Sequence, residues 1–160
     1  MSGTTEVVGT EGPGLVAVNS VRIAYTSTGS VGAPLVLVHG SWGSRHNWDP
    51  VIPGLAEHYR VVAYDRRGHS ESERPRGQGS FTEDVADLAG LIEELDLAPA
   101  WVAGNSAGSV ITLRLAAARP DLLHGIVVHE PPMWSLLEAG SPEAAALAEL
   151  AENTRADADF

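Results

Sequence analysis

The apolar positions change period several times along the chain, and the changes mark out its elements. Leu15 to Val18 and Val21 to Tyr25 are rich in β-branched residues and flank the two-residue polar step Asn19-Ser20, which predicts an antiparallel hairpin at a sheet edge. After the breaker-rich stretch Gly29 to Pro34, Leu35 to Val38 is an unbroken apolar run. Arg60 to Tyr64 is a second such run, and runs of this kind belong to parallel strands buried on both faces. Between them, residues 48 to 58 predict a short helix that Pro50 and Pro53 confine mostly to the part after Pro53. Ser80-Phe-Thr-Glu83 has the form of a capping box, and Phe81, Val85, Leu88, Ile92 and Leu95 then recur at helical spacing, which predicts a helix to about Leu95. Ala100 to Ala103 predicts a third buried strand, Ser106 to Ala118 a helix ended by Pro120, and Gly125 to His129 a fourth strand.

Strand and helix thus alternate through the middle of the chain. That alternation predicts an α/β fold: a doubly wound, mostly parallel sheet with helices on both faces and an amino-terminal antiparallel hairpin. Three stretches follow: a flexible segment 1–14, a core 15–132, and 133–160 as the start of a helical lid or tail, with an Ala/Glu-rich helix from about Pro142 to Asn153.

Composition narrows the function. A formal charge of −11 opposes binding to a phosphate backbone, so no nucleic-acid partner is expected. Seven acids from Glu130 onward face a single base, Arg155, as a solvated helical face or an interaction tail would. No apolar run approaches the length of a membrane span, and the Gly/Thr/Ser-rich start lacks the pattern of a secretion signal, so a cytoplasmic protein is expected. Without cysteine there is no disulfide, thiolate nucleophile or Cys-ligated metal, and the six histidines form no H-x-x-x-H pair. No metal is expected, and the absence of G-x-G-x-x-G leaves no dinucleotide fingerprint, so no cofactor is expected.

The chemistry concentrates in two short segments. Gly104-Asn105-Ser106-Ala107-Gly108 lies between a predicted strand and a predicted helix, the setting in which G-x-S-x-G projects a serine from a strained turn at the carboxyl end of a sheet. The glycines permit close approach of strand and helix. The free N–H groups and positive dipole end of the following helix favour negative charge at the same place. His39-Gly40-Ser41-Trp42 follows the first buried strand, and Gly40 lets the chain turn so that a backbone N–H faces Ser106. Ser41 and Ala107 N–H groups are the two candidate oxyanion donors. His39 reads as a loop-packing residue or, as the alternative, a catalytic histidine. Asp65 with Arg66-Arg67 reads as a hydrogen-bonded turn at a strand end or as a substrate contact.

The His39-Gly40 loop, the segment Asp65-Arg-Arg-Gly-His-Ser-Glu-Ser72, the Gly104 to Gly108 elbow and His129-Glu-Pro-Pro132 together resemble the amino-terminal part of an α/β-hydrolase superfamily member, esterase- or lipase-like, over residues 15 to about 135. The family's D-x-R-G-x-G-x-S pattern has Gly where this chain has Ser70. The resemblance implies acyl transfer from Ser106, since epoxide hydrolases and haloalkane dehalogenases of this fold carry Asp there. It also implies a small, carbonyl-containing substrate: an ester, thioester, lactone or carbon–carbon bond beside a carbonyl. The family's acid and histidine follow later strands, and no histidine follows His129. Glu130 occupies the place of the acid in one family variant, or is a plain loop residue before Pro131. The chain alone is therefore expected to be inactive. The alternative is a catalytically incomplete member that binds a ligand or partner. Trp42 and Trp134, with Leu136 and Leu137, are candidates to line an acyl pocket or are packing residues. Were the family's later strands absent, Gly125 to His129 would become an open sheet edge, favouring self-association.

Overall fold

The computed structural model describes residues 11–76, 79–133, 138–146 and 148–149. Six strands form one mixed sheet in the order β1-β2-β4-β3-β5-β6, comprising β1 Gly12–Val18, β2 Val21–Thr28, β3 Pro34–Val38, β4 Arg60–Tyr64, β5 Ala100–Asn105 and β6 Leu123–His129. The α-helices are α1 Ile52–Ala56, α2 Phe81–Glu94 and α3 Ala107–Ala118. Asn19 and Ser20 both hold positive φ, 44° and 66°, the left-handed pair that a two-residue hairpin turn requires. β1 begins three residues before Leu15, because Gly12 to Gly14 already pair with Tyr25 to Ser27. Antiparallel pairing continues from β2 to β4, and from β4 through β3 and β5 to β6 the pairing is parallel.

The apolar runs are explained by burial on both faces. In β3, Val36 and Val38 face α2 and α3, where they meet Leu88, Leu91, Ile92, Ile111 and Leu115. Leu35 and Leu37 face the other way, toward Trp48, Ile52 and Leu55, and β4 alternates in the same manner, with Val62 and Tyr64 on one side and Val61 and Ala63 on the other. The second face is covered by α1, which carries Pro53 in its first turn, and by a 3-10 turn at Arg45–Trp48. The expected short helix is α1, which begins one residue before Pro53; the 3-10 turn lies ahead of it and meets the expected span only at Trp48.

α2 carries the expected capping box: Ser80 Oγ accepts the Glu83 N–H and Glu83 returns to the Ser80 N–H. Its apolar stripe is interrupted by two buried acids, Asp84 and Asp87. Among the described residues no helix is long and apolar enough to cross a membrane. Residues 142–146 and 148–149 are helical, as expected there. Trp134, Leu136, Leu137, Asn153 and nearly all of the segment 1–14 lie outside the described residues.

The chain order reverses direction at β3: β4 is laid on one side of it and β5 on the other. In an open α/β sheet the crevice beyond the carboxyl ends of two such strands is where ligands bind. β3 ends at Val38 and β5 at Asn105, immediately before the two segments singled out in the sequence.

Candidate active site

Ser106 stands between β5 and α3 with φ 52° and ψ −121°, a strained conformation for a residue with a side chain. Its backbone is held on both sides: the Ser106 N–H donates to the His129 carbonyl at 2.9 Å, and the Ser106 carbonyl accepts the Ser109 N–H at 2.9 Å. The buried Ser109 hydroxyl accepts the His129 N–H at 3.1 Å and reaches the Gly104 carbonyl at 2.7 Å, so one side chain ties β5, α3 and β6 together. That residue was not singled out in the sequence; a serine inside a helix gives no pattern by itself.

The two elbow glycines answer to different neighbours. A Cβ on Gly104 would run into the Gly108 carbonyl and lie 2.6 Å from Thr112 Oγ1, whereas one on Gly108 would run into the Val38 carbonyl and lie 2.8 Å from that of His39. Gly104 therefore lets strand meet helix within the elbow. Gly108 lets the helix lean on the end of β3, the strand alongside.

The loop after β3 comes equally close. A Cβ on Gly40 would lie 3.2 Å from Ser106 Cβ. His39 is buried beneath this loop, and its partners fix its tautomer: Nε2 accepts the Arg66 N–H at 3.0 Å, so Nδ1 carries the hydrogen and donates to the Gly40 carbonyl at 2.7 Å. Burial, the largest effect, pushes its pKa down to about 4, which keeps the ring neutral. Both ring nitrogens of His39 are therefore engaged by backbone groups of the loops it lies beneath.

The Gly40 carbonyl also accepts from Arg66 Nη1 at 3.3 Å, and the Arg66 guanidinium is itself gripped by Asp84 at 2.7 and 3.2 Å. Because a trans peptide sets C=O and N–H on opposite sides, holding the Gly40 oxygen also fixes where the Ser41 N–H points. The Ser41 carbonyl is tied in turn to His69 Nε2 at 2.8 Å.

The Asp65 to Ser72 segment is a hydrogen-bonded turn, the first of its two readings. Asp65 is fully buried and accepts the Arg45 N–H at 2.7 Å and the Glu71 N–H at 3.2 Å, besides pairing with the Arg45 guanidinium. Arg67 pairs with Asp87 and Glu83 at 2.6 and 2.5 Å. Ser70 holds φ 44°, which explains the preference for glycine at that place.

A cleft of about 610 Å³ opens beside Ser106, walled by Ser41, Ala107, Val110, Phe81 and Arg114, with Trp42 and Met133 at its rim. Trp42 is 91% exposed, so it stands over the cleft and is not packed into the fold. A smaller cleft of about 300 Å³ lies beyond His39, Gly40, Asn105 and His129. No histidine ring among the described residues hydrogen-bonds to the Ser106 hydroxyl: His129 Nδ1 takes the Asn105 amide at 2.9 Å, and His39 and His69 are held by backbone groups. Glu130 is exposed with φ 50°. Ser41, Ala107 and Ser106 thus line one cleft, and Glu130, at the end of β6, is not among the residues that line it.

Comparison with known proteins agrees with this geometry. A family model described as alpha/beta hydrolase fold matches residues 33–159. The uncharacterized hydrolase YraK of Bacillus subtilis is 38% identical over 126 residues, covering 78% of this chain and 46% of that protein. Among solved structures, the epoxide hydrolase CorEH superposes with a TM-score of 0.71 at 31% identity, over 81% of this chain and 45% of that one. The enol-lactonase from Burkholderia xenovorans LB400 gives 0.68 at 30% identity, over 71% and 45%. The chain spans less than half the length of these relatives. With the match to the family model extending over most of its residues, the chain belongs to the alpha/beta hydrolase family.

Proposed function

We propose that Ser106 is the nucleophile of a hydrolase that transfers an acyl group from a small carbonyl-containing substrate (an ester, thioester, lactone or carbon–carbon bond beside a carbonyl) to water. The observation that carries this reading is the setting of Ser106: a strained residue at the start of α3, beside a 610 Å³ cleft, with the fixed Ser41 peptide across from it. A serine here favours acyl transfer over the epoxide chemistry of the structurally similar CorEH, because the epoxide hydrolases this fold resembles carry a carboxylate nucleophile at the elbow.

In the reaction, Oγ attacks the carbonyl carbon as its proton passes to a base, and the Ser41 and Ala107 N–H groups receive the charge that develops on the carbonyl oxygen. Collapse of the tetrahedral intermediate expels the alcohol, thiol or carbanion with that proton, and water then hydrolyses the acyl-serine in the same way. Hydrogen bonds from His39 and Arg66 to the Gly40 carbonyl support the reading, since they hold the Ser41 N–H ready before substrate arrives. The base is a histidine supplied from outside these 160 residues, and Glu130 is the candidate acid to orient it.

A second reading, a binding domain without turnover, is favoured by one observation: among the described residues no histidine ring hydrogen-bonds to the Ser106 hydroxyl. Hydrolysis of a short p-nitrophenyl ester separates the two. The 160-residue chain is expected to show little turnover, insensitive to Ser106→Ala. The chain extended by downstream coding sequence is expected to turn over robustly and to lose that activity on Ser106→Ala, with Glu130→Gln reporting on the acid. Robust turnover by the short chain that vanishes in Ser106→Ala and His129→Ala would instead make His129 the base. No turnover by any form favours the binding domain.

A further inference from the structure

Among the described residues Arg114 is a cation without a carboxylate, in a chain with 21 acidic against 10 basic residues. Arg22, Arg45, Arg66, Arg67 and Arg119 each pair with Asp or Glu, Arg60 and Arg74 are held by backbone carbonyls, and Arg76 is, like Arg114, without a partner among the described residues. Among the described residues Arg114 has no such partner and no hydrogen bond; its guanidinium lies over the Phe81 ring, 5.1 Å from the centroid. Its position is the same cleft that Ser106 opens into, and among the described residues lining that cleft it is the only one with a formal charge. The nearest acids on α2 are already engaged: Glu83 with Arg67, and Asp84 with Arg66.

We propose that Arg114 binds a carboxylate on the substrate, so that the acyl group Ser106 attacks is one arm of a dicarboxylic acid. The Phe81 ring attracts the guanidinium as a cation, and its N–H groups, which make no hydrogen bond among the described residues, are available for the two parallel bonds that a carboxylate accepts. Helix geometry sets the scale of the substrate. Arg114 follows Ser106 by eight residues, about 12 Å along the axis of α3, and a long helical side chain covers the turn before its own Cα, which brings the cation back by about 5 Å. The remaining axial separation of about 6 to 7 Å is the scale of a short dicarboxylate such as glutarate. The walls between them, Ala107, Val110 and Phe81, are apolar and suit a short methylene or alkene link. The net charge of −11 repels anions at long range, so a carboxylate enters this cleft only if a local cation receives it.

The inference rests on the cleft beside Ser106 being the substrate site, and binding tests it without turnover. Monomethyl glutarate and its neutral counterpart dimethyl glutarate are titrated into the 160-residue chain, with the Arg114 Nε–H and the Ser106 amide followed by NMR. The monoanion is expected to shift both signals, with affinity falling about 10- to 100-fold in Arg114→Gln and only a few-fold in Arg114→Lys. The diester is expected to bind weakly and equally to all three. Equal loss for both ligands in Arg114→Gln would show that Arg114 only props Phe81, and failure of the monoanion to bind, or its binding unchanged by Arg114→Gln, would equally overturn the proposal. Failure of the Ser106 reading is seen separately, in the absence of covalent labelling at that serine in any form of the chain.

Discussion

At Gly108 the space for a side chain is taken by the backbone of β3, not by a flexible group that can step aside. Gly108→Val would push its Cβ into the carbonyl of Val38 and crowd that of His39, both parts of the buried strand end. The expected cost is about 2 to 3 kcal/mol, read as a lower urea midpoint with unchanged slope; an unchanged midpoint would mean that α3 does not lean on β3. The need for glycine was legible in the sequence, but the strand it serves was not, because G-x-S-x-G places the turn in the chain without saying what lies beside it. His39 shows the same limit. A histidine after a buried strand reads two ways until its partners are seen. Both ring nitrogens are spent on backbone groups, and burial lowers its pKa from 6.5 to about 4. Between those values the unfolded chain binds a proton that the folded one refuses. The contribution of His39 is therefore complete above pH 6.5 and lost as pH falls toward 4, by about 3 kcal/mol. Urea midpoints should fall between pH 6.5 and 4.5 in the native chain, and less steeply in His39→Gln.

Helix α2 was legible from its capping box and apolar spacing, yet half of its role was not. Asp84 and Asp87 occupy its buried face because Arg66 and Arg67, in the turn after β4, come down onto it. Acids at helical spacing suggest a wet surface in sequence, and only the fold brings the arginines to them. The pairs clamp α2 to the turn that supports the Gly40 peptide, so packing and site are one construction. Asp87→Ala strands the Arg67 guanidinium, whose side chain is 8% exposed, and is expected to cost about 3 to 5 kcal/mol. A loss under 1 kcal/mol in thermal or urea unfolding would show that Glu83 alone is enough. The hairpin was legible too, since Asn19-Ser20 tolerates the left-handed turn that its φ angles display.

Across the whole molecule the sheet is well covered from β2 to β5 and thinly covered at its far edge. On β6, Val127 is 58% and Val128 37% exposed, and no described strand pairs with its outer side. A parallel edge with apolar faces templates pairing with another chain, so the 160-residue chain is expected to dimerise or form larger species at micromolar concentration. Sedimentation showing a clean monomer with cooperative unfolding would contradict this. The same edge bears on the chemistry, because the chain spans less than half of its relatives and the proposed base lies outside it. The order of elements, the elbow and the Gly40 loop were legible in the residues; the proton acceptor was not, because among the described residues no histidine ring hydrogen-bonds to the Ser106 hydroxyl. The most direct measurement is covalent labelling by a fluorophosphonate, located by peptide mass, on the 160-residue chain, on the chain extended by downstream coding sequence, and on Ser106→Ala versions of each. The account predicts one label on Ser106 in the extended chain, little or none in the short chain, and none in either variant. Label retained in Ser106→Ala, or an extended chain that stays unlabelled, would contradict it.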